Sequence, residues 1–343
     1  MKPVTLQSYR AVQFTIVASF GLLLGLLAIP CWAQQDVAKL PFDVFNEPID
    51  GVRIYTHLEK NAIAQKQVQA SDAPDILFQR LLAAKTGSDV GFGSLTNHPL
   101  ANPDDLYSHM VKSCLFLGRF YDCGKCDRTH VSVACGVVID ESGLALTNHH
   151  VLSPQGNVIA EGFMAMTYDG KCFEVEDVLA GNAKADIALV KLKANGHKFH
   201  AAPIAKTRPQ PTTEVRMVSH PSREFYVMTK GEVSRYSRIY ETAKKGGTET
   251  ANQANWMEIT ADFGAGSSGC GVFNSAGEVV GVASCNKPLT RTEHTTAGSD
   301  KKVTKSVYVE MMLRRCADLS AIQACFQSNE PASAPVVIEA GKR

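Results

Sequence analysis

Residues 260–284 read TADFGAGSSGCGVFNSAGEVVGVAS, a glycine-rich loop followed by a hairpin pattern. In the second half, FNSAGEVVGV places a glycine-containing turn between two apolar runs, which is typical of a β-hairpin. The first half carries Ser267 and Ser268 side by side, with glycines before and after them. Two serines in such a loop make one of them a candidate nucleophile, and the surrounding sequence has to supply its partners.

The chain around this stretch, from about residue 111 onward, is a series of short β-prone runs separated by Gly, Asn, Asp and Pro. Examples are THVSVACGVVI, DIALVKL and TEVRMVSH. Many short strands with turns between them predict an all-β barrel or sandwich. The segment before residue 111 contains helix-prone pieces such as APDILFQRLLAAK, and the pattern after about residue 311 also predicts a helix.

The composition is that of a globular chain and gives no sign of a nucleic-acid partner. The 343 residues are 45% hydrophobic and 20% charged, which is enough to build a sizeable core. The formal net charge is +1, and no long run of Lys or Arg is present. Electrostatics therefore gives no reason to expect binding to nucleic acid or to an anionic surface.

The N-terminus has the pattern of an export signal. Lys2 and Arg10 precede the apolar run AVQFTIVASFGLLLGLLAI, and Pro30 then interrupts it ahead of small residues around Ala33. This pattern predicts a signal peptide over residues 1–33 and a periplasmic or secreted protein. The alternative is an uncleaved anchor, because the apolar run is long enough to span a bilayer. Contact with a membrane is expected only in that second case.

Three polar sites lie beside apolar, strand-like runs. His149 and His150 end LALTNHH, Asp186 opens DIALVKL, and the serine pair lies in the glycine-rich loop. Hydrolysis by a serine needs a base, a carboxylate that orients the base, and backbone donors for the oxyanion. The chain order is His, Asp, Ser, so a fold must bring distant loops together. The G-x-S-x-G pattern of α/β-hydrolases fits neither serine.

These blocks resemble a known family. CGVVIDESGLALTNHHVL, ADIALVKL and GSSGCGVFNSAGEVVGV look like the three signature blocks of chymotrypsin-fold, trypsin-like serine proteases, with a texture nearest to bacterial trypsin-like and HtrA-type members. The resemblance implies that His150 is the base, Asp186 orients it and Ser268 is the nucleophile. It covers roughly residues 111–315. Only 28 residues follow, so the PDZ domain usual in HtrA-type chains is not expected.

The resemblance sets the expected architecture and function. The fold class is all-β, a double six-stranded β-barrel of chymotrypsin type with a partly helical N-terminal extension and a C-terminal helix. The function it implies is an exported serine endopeptidase with a protein or peptide as its substrate, and the chemistry needs no metal or cofactor. The oligomeric state is left open. The expected division is a signal peptide over 1–33, an extension or pro-region over 34–110, the protease domain over 111–315, and a helix and tail over 316–343.

Three further residues, together with the Ser268 amide, are assigned to binding steps. Gly266 permits a turn in which its own amide and that of Ser268 form an oxyanion hole. Asp262 stands six residues before Ser268, at the family's position for the floor of the primary specificity pocket, and would favour cleavage after Arg or Lys. The alternative for Asp262 is a loop carboxylate that caps a turn. The strand over residues 281–285, which includes Ser284, would form the opposite wall and pair with the substrate backbone.

The cysteine content suggests disulfides. If Cys31 leaves with the signal peptide, nine cysteines remain, and an exported protein can keep them paired. Cys316 and Cys325 bracket a short helical segment and are the first expected pair. Cys270 is expected to pair with Cys285 across the hairpin.

The stretch YDCGKCDRTH, residues 121–130, allows two interpretations. Cys123 and Cys126 could close a hairpin loop as a disulfide, or they could form a zinc knuckle with His130. The disulfide is the favoured interpretation, because no second ligand pair at zinc-finger spacing follows.

Two rival functions use the same residues differently. A protease-like module could have kept the fold only to bind peptides, although an intact His, Asp, Ser set and a glycine loop argue for turnover. The second rival is a metal-dependent hydrolase that uses the cysteine pair and the histidines, but the sequence contains neither H-E-x-x-H nor a complete ligand set. Among other polar or aromatic residues, His149 is interpreted as a packed neighbour of the base, His220 as a turn residue and Trp256 as core.

Overall fold

The short apolar runs form two β-sheet systems in this computed structural model, which describes residues 43–68, 73–154, 159–240, 253–297 and 302–327. The strands of the first system are β1 (Cys114–Asp122), β2 (Thr129–Val131), β3 (Ala134–Asp140), β4 (Leu144–Thr147), β5 (Ile159–Met166), β6 (Cys172–Asn182) and β7 (Ile187–Leu192). Their order is β2-β1-β3-β4-β7-β6-β5, and β5 also pairs with β1. Six of the strands therefore close into a ring, with β2 added to β1.

The second system is a closed six-stranded barrel. Its strands are β8 (Glu214–Ser219), β9 (Val227–Tyr240), β10 (Gln253–Ile259), β11 (Gly271–Phe273), β12 (Val279–Ala297) and β13 (Lys302–Asp318), in the order β10-β13-β12-β11-β8-β9. The hairpin that the sequence predicts in FNSAGEVVGV is the β11–β12 pair. The predicted double six-stranded β-barrel is confirmed.

Burial along the strands explains why these segments pair. Every residue of β3 and of β4 is buried, and both strands are apolar up to their last residues, Asp140 and Thr147, rather than alternating. β6 instead alternates between buried and more exposed residues, as expected for a strand with one face on the core and one towards solvent. The continuous burial of β3 and β4 shows that both strands lie in the interior. The segment that carries His150 begins at the end of β4.

Helices from the segment before residue 111 pack on the first ring. They are α1 (Gly51–Val68), α2 (Ala73–Ala83) and α3 (Leu106–Ser113). From α1, the Tyr55 hydroxyl donates a hydrogen bond to the Val131 carbonyl of β2 at 3.2 Å. After α2, the Lys85 carbonyl accepts from the Gly181 amide of β6 at 2.9 Å. The extension is therefore bonded directly to the edges of the barrel.

The C-terminal end differs in part from the sequence prediction. Helix α5 (Leu319–Ala324) is present, and the side chain of Asp318 accepts a hydrogen bond from the Ala321 amide at its start. The helical pattern expected from about residue 311 is wrong up to Asp318, because β13 continues to that residue by pairing with β12 and β10. Tertiary pairing outweighs the local pattern there.

The expected signal peptide and the last tail residues lie outside the described part of the chain. All described residues belong to one compact unit of the chain. Among the described residues, no helix is long and apolar enough to cross a membrane.

None of the expected disulfides is formed, and this includes the one favoured for Cys123 and Cys126, whose sulfurs are 3.5 Å apart. All nine cysteines of the described residues are free. Cys270 is buried, with its thiol directed at the Val218 carbonyl at 2.6 Å, whereas Cys285 is exposed, so the two thiols do not meet. The Cys325 thiol donates to the Ala321 carbonyl of α5 at 3.5 Å rather than bonding to Cys316.

Candidate active site

The histidine of the site follows the buried strand β4. Asn148 leaves the strand in an extended conformation and starts the short helix α4 (His149–Leu152), which carries His150. The Asn148 side chain is fully buried and donates a hydrogen bond from Nδ2 to the Asp186 backbone carbonyl at 2.7 Å. The imidazole of His150 is 44% exposed, so it faces open space on one side while Asn148 secures the neighbouring loop.

Asp186 lies in the turn between β6 and β7 and is oriented by several donors. Its φ of +51° is in the left-handed region, which Asp tolerates better than most residues. Oδ2 accepts from His150 Nδ1 at 2.7 Å, and Oδ1 accepts from the His150 backbone amide at 3.0 Å. The Ser284 hydroxyl donates to the same Oδ2 at 2.5 Å. The carboxylate therefore holds both the ring and the backbone of the histidine.

Of the two adjacent serines, only Ser268 reaches the histidine. Its Oγ lies 3.0 Å from His150 Nε2. Ser267 is fully buried, and its hydroxyl donates to Ser219 Oγ at 3.0 Å. The arrangement therefore joins Asp186, His150 and Ser268 in one chain of hydrogen bonds and leaves Ser267 as part of the loop's support.

The loop around Gly266 requires glycine at this position. Gly266 has a φ of +99°, and a Cβ at this position would lie 2.5 Å from the His220 carbonyl oxygen, so only glycine fits. The Ser222 amide donates to the Ala265 carbonyl at 2.6 Å and anchors the turn from below. Within the described residues, the amides of Gly266 and Ser268 donate to no protein acceptor. Two backbone donors are thus available beside the Ser268 hydroxyl.

The loop that carries the candidate nucleophile Ser268 is bonded to both barrels. The Cys135 amide of β3 donates to the Ser268 carbonyl at 2.7 Å, and the Gly269 amide donates to the Ala283 carbonyl of β12 at 2.9 Å. Gly269 has a φ of +89°, and a Cβ there would lie 2.0 Å from the Cys135 carbonyl oxygen. This close approach brings the serine of the second barrel to the histidine and aspartate of the first.

Ser284 has a role that the sequence alone did not indicate. It was expected to bind substrate, and the structure shows its hydroxyl on the Asp186 carboxylate and its carbonyl 3.3 Å from Ser268 Oγ. A register shift of β12 between Ala283 and Cys285 turns Ser284 towards the site. Ser284 and Asp186 are 98 residues apart, so no local pattern could have linked them.

Asp262 lies near the loop, but its carboxylate already has a partner. Arg314 of β13 donates to Asp262 Oδ1 from Nε at 3.0 Å and from Nη2 at 2.6 Å. The Asp262 side chain is 79% exposed, whereas that of Arg314 is 17% exposed. The expected desolvated, unpaired carboxylate is thus replaced by an exposed ion pair. No sequence signal connects these residues, which are 52 positions apart.

The neighbouring histidines serve the packing. His149 Nδ1 lies 3.2 Å from Ser153 Oγ, and burial lowers the pKa of the His149 ring below its ordinary value. His220 lies between β8 and the 3-10 turn Pro221–Arg223, where it is fully buried, and its Nδ1 accepts from the Tyr226 amide at 3.1 Å. Trp256 is 8% exposed and lies in the core as expected.

A group of three buried thiols lies beneath the nucleophile loop. The sulfurs of Cys114, Cys135 and Cys270 are all within 4.8 Å of one another, and Cys114 Sγ is 3.8 Å from His220 Nε2. Because His220 Nδ1 accepts a hydrogen bond from Tyr226, Nε2 carries the ring proton and is not a metal ligand. Burial raises the pKa of the Cys135 and Cys270 thiols, whereas hydrogen bonds with those two thiols lower the pKa of Cys114.

Comparison with known proteins bears on the same residues. Residues 134–282 match the family model described as "Trypsin-like peptidase domain", and this match includes His150, Asp186 and Ser268. The resemblance to trypsin-like peptidases is confirmed.

Two curated relatives are similar to this trypsin-like region. Serine protease HTRA1 of Xenopus laevis is 31% identical over 151 residues, which is 43% of this chain and 30% of the relative. Serine endoprotease DegS of Escherichia coli K12 is 26% identical over 152 residues, which is 44% of this chain and 39% of the relative.

The coverage of these trypsin-like relatives is partial. The chain spans only 30–39% of the length of the two curated relatives. A crystal structure of an inactive form of Rv3671c from M. tuberculosis aligns with a TM-score of 0.44 and 15% identity, covering 64% of this chain and 86% of that chain. The assignment of two closed barrels depends only on the strand pairings within this chain.

Proposed function

We propose that the chain is an exported serine endopeptidase that forms an acyl-enzyme on Ser268. The observation that carries the proposal is the continuous set of hydrogen bonds from Asp186 through His150 to Ser268, at 2.7 Å and 3.0 Å. The similarity of residues 134–282 to trypsin-like peptidase domains supports the same reaction class. A hydroxyl, an imidazole and a carboxylate in this order provide a nucleophile, its base and the group that orients the base.

In the first half of the proposed reaction, Ser268 Oγ attacks the carbonyl carbon of the scissile peptide bond. His150 Nε2 takes the hydroxyl proton, and Asp186 stabilises the resulting imidazolium through Nδ1. The carbonyl oxygen becomes an oxyanion that accepts from the amides of Gly266 and Ser268. His150 then gives its proton to the leaving amine as the C–N bond breaks, which releases one product and leaves an ester on Ser268.

In the second half, a water molecule takes the place of the amine. His150 removes a proton from the water while the hydroxide attacks the ester carbonyl, and the same two amides bind the second oxyanion. The ester bond breaks, Ser268 Oγ recovers its proton from His150, and the acid product leaves. No electron transfer or external cofactor enters the balance.

Substrate backbone is proposed to bind along β12 next to Ser284. The ladder between β11 and β12 is extended past Val282, because the Ala283 amide donates to the Cys270 carbonyl and the Gly269 amide donates to the Ala283 carbonyl. Within the described residues, no strand pairs with the β11-facing edge of β12 beyond Ala283. An extended peptide can add to such an edge by main-chain hydrogen bonds. Ser284 would then contribute its backbone to substrate binding and its hydroxyl to Asp186.

A preference for Arg or Lys before the scissile bond stays a prediction that rests on Asp262. A basic substrate side chain would have to compete with Arg314, which already donates two hydrogen bonds to that carboxylate. An exposed ion pair contributes only about 0–1 kcal/mol, so the competition is open to a substrate. We therefore expect a weak preference for basic residues rather than a strict one.

The test compares cleavage of paired fluorogenic peptides, with Arg or Phe before the scissile bond, by the wild type and two serine variants. Ser268→Ala is expected to abolish cleavage, and Ser267→Ala to keep most of it. A fluorophosphonate should label the wild type and Ser267→Ala but not Ser268→Ala. The reverse pattern would place the nucleophile at Ser267. Peptide binding without labelling or cleavage would indicate a binding module. Cleavage that persists in Ser268→Ala but is lost with a chelator would indicate a metal hydrolase.

Export is proposed from the sequence of residues 1–33 alone. The test is the N-terminus of the protein recovered from cell fractions by mass spectrometry. A chain beginning at residue 34 in the periplasm or medium supports cleavage after Ala33. An intact N-terminus in the membrane fraction would show that this segment is an uncleaved membrane anchor rather than a signal peptide.

A further inference from the structure

The loop between β1 and β2 carries three metal-ligating side chains that the proposed hydrolysis does not use. Cys123 follows the end of β1, Cys126 lies in the loop, and His130 lies in β2 opposite Tyr121 of β1. The ligand atoms of these three residues lie within 4.8 Å of one another. We propose that Cys123, Cys126 and His130 bind one thiophilic divalent ion of the zinc class.

The distances fit a shared ion rather than a disulfide. Cys123 Sγ and Cys126 Sγ are 3.5 Å apart, and Cys126 Sγ is 3.1 Å from His130 Nε2. A disulfide bond would place the two sulfurs at about 2.05 Å. A tetrahedral zinc ion with Zn–S of about 2.3 Å and Zn–N of about 2.0 Å requires ligand separations of roughly 3.5–3.8 Å. Small movements of exposed side chains therefore bring all three atoms to one ion.

The local backbone prepares this arrangement. Gly124 has a φ of +65°, and its amide donates to Asp122 Oδ1 at 2.7 Å, which turns the chain directly after Cys123. The Tyr121 ring stacks on His130 with centroids 5.4 Å apart and planes at 25°. The stacking limits rotation of the imidazole and keeps it in the pairing position between the strands. The loop is thus folded around the ligand atoms by groups that are not ligands themselves.

The donor set selects the class of ion. Thiolate sulfur and imidazole nitrogen suit zinc and related soft or borderline ions, whereas magnesium and calcium prefer oxygen. Two thiolates neutralise the charge of a divalent ion. Three protein ligands leave the fourth tetrahedral position to water, and the exposure of Cys126 admits it. The order Cys-x-x-Cys with His four residues further on spans a single hairpin, so the ion would join the end of β1 to β2.

The location gives the ion a structural consequence for the candidate active site. The carbonyl of Val131, the residue after His130, accepts the Tyr55 hydroxyl of α1. Four residues beyond Val131, the Cys135 amide donates to the Ser268 carbonyl. An ion at the β1–β2 loop would therefore stiffen a short segment that connects the N-terminal helix with the nucleophile loop. This inference does not rest on the proposed peptidase activity.

The test uses the whole chain, reduced and freed of metal, and Co²⁺ as the probe. We expect one equivalent to bind with thiolate-to-cobalt charge-transfer absorption, and Zn²⁺ to displace it. Loss of an outer partner of a metal site costs about 10–100-fold in affinity, so removing a direct ligand in Cys126→Ser or His130→Asn is expected to cost at least that. The matched control is Cys285→Ser, which removes another exposed thiol. It should bind as the wild type does.

Thermal melting supplies a second readout. Zn²⁺ should raise the Tm of the wild type and of Cys285→Ser but not that of Cys126→Ser. The proposal is overturned if the reduced wild type binds no Co²⁺ or Zn²⁺. It is equally overturned if Cys126→Ser and His130→Asn bind the ion as tightly as the wild type, because the ion would then lie elsewhere, for example among the buried thiols.

Discussion

Substituting Gly266 by alanine should remove most of the catalysis while leaving the three polar side chains in place. The alanine Cβ would lie 2.5 Å from the His220 carbonyl oxygen, and real Cβ atoms essentially never lie closer than 3.0 Å to such an atom. The loop or the carbonyl must therefore move by at least about 0.5 Å, whereas an oxyanion donor has to stay within about 2.7–3.1 Å of the oxyanion. The φ of +99° adds a backbone cost of about 1–3 kcal/mol.

The expected magnitude follows from the loss of one donor. Removing one oxyanion-hole hydrogen bond typically lowers kcat by about 10²–10³-fold. We expect Gly266→Ala to show that loss with little change in KM, because the donor acts mainly on the charge that develops during the reaction. The assay is steady-state hydrolysis of a fluorogenic peptide, with the Tm of each variant measured alongside.

Gly264→Ala is the matched control for this prediction. Gly264 lies two residues earlier in the same loop, and a Cβ there would meet only Pro221 Cβ at 3.5 Å, an ordinary contact. We expect it to keep kcat within a few-fold of the wild type. A Gly266→Ala variant with wild-type kcat and a normal Tm would refute the assignment of the Gly266 amide to the oxyanion hole. Equal losses in both variants would show that the loop is merely intolerant of side chains.

Other substitutions test the rest of the site and its surroundings. Asp186→Asn should lower kcat by about 10⁴-fold, because the amide no longer fixes the proton-accepting form of His150, and a smaller effect than tenfold would argue against that role. Burial, with two neighbouring histidines and a lysine, lowers the pKa of His200 to about 3. The folded state then binds fewer protons than the unfolded state, so the free energy of unfolding should fall as the pH drops from about 6.5 towards 3. Urea melts of His200→Gln should show a flatter pH dependence, and an unchanged slope would contradict the assignment. Asp262→Asn should reduce the Arg-to-Phe cleavage ratio by only a few-fold, because Arg314 already pairs with the carboxylate. A complete switch of specificity would show that a substrate displaces Arg314.

The parts of the fold that follow from local patterns were predictable from the sequence. Runs such as DIALVKL became strands because their apolar residues are continuous and bounded by turn residues, and FNSAGEVVGV became the β11–β12 hairpin for the same reason. The end of β13 was not predictable in this way. Residues 311–318 have a helical pattern, yet they pair with β12 and β10, and only those distant strands decide their conformation.

The same distinction between local patterns and distant contacts applies to the candidate site. The order of His150, Asp186 and Ser268 was readable, because each lies beside its own motif. The hydroxyl of Ser284 on the Asp186 carboxylate and the pairing of Arg314 with Asp262 were not readable, since each joins residues from different barrels or strands. Serine and arginine are common surface residues, and nothing in their own neighbourhood marks these two.

Because the candidate site is divided between two barrels, its geometry depends on how the two barrels pack against each other. His150 and Asp186 belong to the first barrel, Ser268 belongs to the second, and the 3.0 Å from Nε2 to Oγ spans the junction. The Cys135 amide on the Ser268 carbonyl crosses the same junction at 2.7 Å. A shift of either barrel by one ångström would break the proton path without altering any residue of the site. The proposed proton transfer therefore also depends on the packing between the barrels, at positions far from the reacting atoms.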